Sequence, residues 1–166
     1  LKDNYKMKGD IDMSSNKSLP KRSEVDKKYT WAIEDLYVSD ELWKEEYDKL
    51  SKMLPKVSEY KGKLSESAKS LLDFLKLSDE LQMMLERVYV YANQKYHEDT
   101  GNSVYQDLSD KAGVLLVQLD SAFSFATPEI LSIPEALLAQ FMKEEEGLKT
   151  YDFYLKDILR RKPHIL

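Results

Sequence analysis

The chain has 166 residues, a formal net charge of −5, five glycines, five prolines and no cysteine. The length suits one domain with a real core, and the missing thiols exclude a disulfide framework, a thiolate zinc site and a cysteine nucleophile. The charge is unevenly placed: residues 1–29 hold eight Lys/Arg against five Asp/Glu, and residues 30–166 hold 17 against 25. A body that acidic repels phosphate backbones, so nucleic acid is not an expected partner.

Residues 1–28 are polar and read as a flexible lead-in. They carry no apolar core of a secretory signal, and no run approaches the roughly 18 apolar residues of a membrane span. No membrane partner is expected, and the default setting is cytoplasmic. Order is expected to begin near Tyr29, Thr30 and Trp31, the first bulky aromatics.

In chain order, Ser39 caps a first helix, with Asp40 and Glu41 in the first turn where the helix dipole favours anions. Trp43, Tyr47, Leu50 and Leu54 make its buried stripe. Pro55 ends it, and Gly62 marks a turn. Ser65 caps a second helix with Ala68, Leu71, Leu72 and Leu75 on one face. A break at Ser78-Asp79 leads to a third, with Leu81, Met84, Leu85, Val88, Tyr91 and Ala92 inward, stopping near Thr100-Gly101-Asn102.

Tyr105, Leu108, Ala112, Leu115, Leu119, Ala122 and Ala126 follow a seven-residue repeat. This predicts a helix packed lengthwise on a neighbour at a shallow angle. Gly113 within it costs about 1 kcal/mol relative to Ala and suggests close approach of another helix. Thr127 before Pro128, and Pro134 before Glu135, are two short helix starts. Gly147 breaks the charged run, and a last helix carries Leu148, Tyr151, Leu155, Ile158 and Leu159, ending before Pro163. Nothing alternates with period two. The fold class is all-α, a bundle of about five main helices with short connecting helices, antiparallel neighbours and no sheet.

Recognisable catalytic motifs are missing. His97 stands in "YHEDTG", but a His-Glu-x-x-His motif would need a second His where Gly101 stands. His164 has no acidic neighbours. No nucleophile elbow, P-loop or dinucleotide fingerprint occurs, and Glu144, Glu145 and Glu146 read as a solvated charge run. No catalytic and no metal residue is assigned. Among the eleven tyrosines, Tyr89, Tyr91 and Tyr96 cluster on the third helix, spread over more than one face. They are the candidates for lining a groove and hydrogen-bonding a peptide, set against a plain packing role.

The blocks "YTWAIEDLYVSDELW", "LERVYVYANQKYHEDTGNSVYQ", "SFATPEIL" and "YLKDILRRKPHIL" resemble, in order, the N-terminal region of oligoendopeptidase F, a zinc metallopeptidase family related to the thimet oligopeptidases. The resemblance runs from Tyr29 to Leu166. It implies an all-helical domain of a longer cytoplasmic enzyme, with residues 1–28 outside it. It further implies that zinc, its His-Glu-x-x-His helix and the glutamate base that activates water lie in a C-terminal catalytic domain. That domain and oligopeptide substrates are the implied partners, and residues 1–166 alone are expected to hold no zinc and to be inactive. The implied role is one wall of a channel that admits flexible oligopeptides. Such a wall exposes apolar or aromatic surface, and self-association of residues 1–166 is one way of covering it. The competing reading is a free-standing helical adaptor that binds a peptide or partner helix through an aromatic groove.

Overall fold

The structure, a computed structural model, describes residues 24–164. The expected lead-in therefore falls mostly outside the described residues. Two compact units are distinguished, Leu1–Trp31 and Ala32–Leu166. In the first, Asp26 caps a 3-10 turn over Lys27–Tyr29, accepting a hydrogen bond from the Lys28 amide.

The second unit is all-α, as expected, with no strand among the described residues. A 3-10 turn, Ile33–Asp35, precedes α1 (Asp40–Met53) and α2 (Pro55–Ser58). α3 (Ala68–Glu98) and α4 (Ser103–Phe123) follow, then α5 (Ala126–Ser132) and α6 (Glu135–Glu144). A 3-10 segment, Glu146–Tyr151, leads into α7 (Asp152–Arg161).

Several starts and stops obey local chemistry. The Ser39 hydroxyl accepts from the Leu42 amide at the head of α1. Pro55 ends α1 and opens α2 at its first position, where a missing N–H costs nothing. Gly62 has φ +82°, the left-handed region that its lack of Cβ permits.

α3 departs from the expectation. It runs unbroken for 31 residues through Ser78 and Asp79. No proline or glycine interrupts it. The Ser78 hydroxyl accepts from Gln82 Nε2 one turn on, and Asp79 accepts from the Tyr151 hydroxyl at 2.6 Å. Both polar groups are satisfied without leaving the helix, and the buried face from Leu75 to Leu81 continues past them. The cap is Ser67, not Ser65, and it accepts from the Ser70 amide.

α3 packs most extensively on α4 and next on α1. Both pairs are antiparallel. Along α1, Asp40, Trp43 and Glu46 meet Tyr91, Val88 and Arg87 of α3 in falling order. Across α3 and α4, Ser109 pairs with Asn93 near the connecting turn, and Phe123 meets Phe74 at the far end. Leu108, Ala112, Leu115 and Leu119 of the seven-residue repeat are buried. Gly113 is not a close-approach site, since a Cβ built there would meet nothing within 4 Å. Gly147 is one: a Cβ would lie 2.8 Å from Leu72 Cδ2, so its absence lets the Glu146–Tyr151 segment settle on α3.

The last short helices also start differently from the expectation. α5 begins at Ala126, before the Thr127 expected to cap it, because Phe125 is held against Phe74 and Pro128 falls inside the first turn, where no intrahelical N–H is needed. Pro134 is the cap of α6 and not its first residue.

Ser103–Ser132 is long and apolar enough, by length and composition alone, to cross a membrane, an 18-residue window within it having a mean hydropathy of 1.3. This corrects the expectation that no run comes near that length. The stretch comprises α4 and α5, interrupted at Ser124 and Phe125, with one stripe of α4 in the helical core.

Candidate functional site

The tyrosine cluster of α3 is where sequence reasoning placed a groove, and the helical period divides it. Tyr89 and Tyr96 are seven residues apart and share a face, while Tyr91 points nearly opposite to Tyr89.

Tyr91 is 1% exposed. Its hydroxyl donates to Asp40 Oδ1 at 2.7 Å, its ring meets Tyr37 edge-on at 5.2 Å, and Lys95 Nζ lies 5.5 Å from its centroid. It joins α3 to the start of α1 and is enclosed by packing in this structure. Burial first, then the hydrogen bond to Asp40 and that carboxylate's charge, push its pKa well above the ordinary tyrosine range. Burial, followed by the neighbouring Glu46, does the same to Tyr37.

These shifts make the fold sensitive to alkali. A raised folded-state pKa stabilises the fold fully below the unfolded value, about 10, and that contribution is lost as pH climbs through the folded value. The melting temperature is expected to fall from pH 10 upward, and Tyr91→Phe to make that fall shallower. Thermal unfolding followed between pH 8 and 12 checks it; identical alkaline slopes for the two proteins would contradict the assignment.

Tyr89 is 37% exposed and lines a groove of about 580 Å³ between α3, α4 and the start of α5. Leu85, Leu116 and Phe123 supply apolar lining, and Glu86 and Asp120 supply acidic margins. The arrangement suits an extended or helical peptide segment: apolar contact below, carboxylates at the edge and a phenol for hydrogen bonding. Tyr96 is half-buried beside His97, ring centroids 5.7 Å apart, and lies outside that lining. The structure therefore does not bring the three tyrosines to one surface. Leu116 and Phe123 escaped the sequence reading; their seven-residue spacing beside the buried stripe of α4 was the available signal.

His97 is exposed, and no group of three His, Cys, Asp or Glu among the described residues is placed to hold a metal. The described residues offer no ligand set for zinc.

Beside this geometry, three comparisons point the same way. A family model described as Oligopeptidase F matches residues 129–166. The oligopeptidase PepF of Bacillus subtilis is 45% identical over 148 residues, which is 89% of this chain and 22% of that protein. The crystal structure of oligoendopeptidase-F from Enterococcus faecium matches 77% of this chain and 25% of its own, with a TM-score of 0.71 and 34% identity.

The chain is similar to the N-terminal region of oligoendopeptidase F.

Another relative, the group B oligopeptidase PepB of Streptococcus agalactiae, is 34% identical over 145 residues, 87% of this chain and 24% of that protein. The chain thus spans about a quarter of the length of the relatives it matches.

Proposed function

We propose that this chain serves as the N-terminal helical region of a longer zinc-dependent endopeptidase that hydrolyses oligopeptides, and that its own part is substrate access and enclosure. One observation carries the reading: 45% identity to an oligopeptidase extends over 89% of the chain. The groove beside Tyr89, with its apolar lining and acidic margins, is the surface offered to a passing peptide. Tyr89 is its hydrogen-bonding group, and Tyr91 holds α1 and α3 together behind it. Residues 1–166 are catalytically inert in this reading, because the position four residues after His97 is Gly101 and two imidazoles cannot converge there. Zinc and its ligands belong to the remainder of the longer protein.

Metal analysis and a quenched-fluorescent peptide assay test this. Residues 1–166 are expected to hold no stoichiometric zinc and to leave the peptide intact, while the longer protein binds zinc and cleaves the peptide. Tight zinc or robust hydrolysis by residues 1–166, or a longer protein with neither, would overturn it.

A further inference from the structure

α6 and α7 are neighbours through the Glu146–Tyr151 segment; both pack on that segment, and α7 packs equally on α5, while the two helices scarcely touch each other. Between them lies an open groove of about 400 Å³. Leu138 and Leu155, only 6% and 2% exposed, line it together with the half-buried Met142 and Leu159. Charge stands at its margins, where Glu135 and Lys143 line it and Lys156 is paired with Asp152 at 2.7 Å. Two amphipathic helices that do not close on each other leave an apolar stripe that a further element of the same layer completes.

What that element is follows from three observations. The groove lies wholly within residues 129–166, the segment that the Oligopeptidase F model matches. The chain spans 22% of the length of PepF, which leaves most of such a polypeptide to be seated. α7 runs directly into the 3-10 turn Lys162–His164, and Lys162 Nζ donates to the Leu131 carbonyl at the end of α5. The backbone thus leaves α7 tied to the connection that enters α6. Consecutive elements are usually spatial neighbours joined by short links.

We propose that the α6–α7 groove seats the segment that follows Leu166 in the longer protein, through an apolar helix face. This rests on the reading of the chain as part of a longer peptidase.

The absence of cysteine from the chain allows a direct footprint. Ala139 is exposed and lines the groove. Ala139→Cys is made in residues 1–166 and in the longer protein, and maleimide labelling of that site is followed by mass spectrometry, with circular dichroism checking that both remain helical. The expected result is labelling at least about tenfold slower in the longer protein, as for a site opened only by local unfolding. Adding Met142→Glu should bring that rate back towards the value in residues 1–166. Equal rates in both proteins would overturn the proposal. So would slow labelling in both: a concentration-dependent rate in residues 1–166 would show a second copy in the groove, and a concentration-independent one a groove closed by the chain itself. A longer protein that binds zinc and cleaves peptide but labels at the rate of residues 1–166 defeats this inference alone. One that protects the introduced thiol without cleaving peptide defeats the functional reading alone.

Discussion

Trp43→Ala is expected to cost about 3–5 kcal/mol of stability, the range for emptying a large buried aromatic site. Trp43 is 3% exposed, its indole Nε1–H donates to the Val88 carbonyl at 2.8 Å, and its ring stacks on Tyr47 at 5.3 Å. Ala removes the volume, the stack and the donor together. The loss falls where α1 is clamped to α3, between the Tyr91–Asp40 hydrogen bond and the ion pair of Arg87 with Glu46 at 3.5 Å. That ion pair is half-exposed and contributes little by comparison. Trp43→Phe separates the contributions. It keeps an aromatic ring against Tyr47 and gives up the hydrogen bond, so a smaller loss on the order of 1 kcal/mol is expected from that bond. Urea unfolding followed by circular dichroism measures both. An Ala variant within about 1 kcal/mol of the parent would mean that α1 is not held by this contact.

Phe74→Ala is expected to be as damaging, about 3–5 kcal/mol, by a different route. Phe74 is 2% exposed and meets three rings: Tyr60 at 5.7 Å, Phe123 at 5.8 Å and Phe125 at 5.7 Å. These come from the turn before α3, the end of α4 and the connection to α5. One ring therefore sets where three chain segments converge, and its removal leaves a cavity that no single neighbour can fill. A double-mutant cycle with Phe123→Ala isolates the near-perpendicular pair. A coupling of about 0.5–1.5 kcal/mol is expected. Additive losses would show that the two rings pack independently, and that Phe74 acts through its volume alone.

The two aromatic roles are not equally visible in the sequence. Trp43 is legible because it begins a stripe at spacings of four, three and four, which places it inward whatever the helix meets. Phe74 is not, because Leu71, Leu72 and Leu75 already account for a face of that helix. Its importance comes from rings 14 to 51 positions away in the chain, which no local pattern joins. The same division applies to the tyrosines. Composition and helical spacing put Tyr89, Tyr91 and Tyr96 on one helix. The apolar stripe of that helix already turned Tyr91 inward, and the position of α1 supplied its partners Asp40 and Tyr37; only the position of α4 decided that Tyr89 opens to a groove.

The sequence by itself determined the class and the family: few glycines and prolines, stripes at helical spacing and four ordered blocks make an all-α chain that resembles oligoendopeptidase F. It also determined most helix ends, because Ser39, Pro55 and Gly62 act on the backbone within a turn of themselves. Tertiary structure decided the rest. The weak break signals at Ser78 and Asp79 were overruled once Gln82 and Tyr151 satisfied those side chains and the apolar face ran on past them. Thr127 lost its capping role because Phe125 is drawn to Phe74. Gly147 rather than Gly113 became the point of close approach, because Leu72 stands over it and nothing stands over the other. Local propensities at such positions differ by about 1 kcal/mol, and a single buried aromatic contact outweighs them.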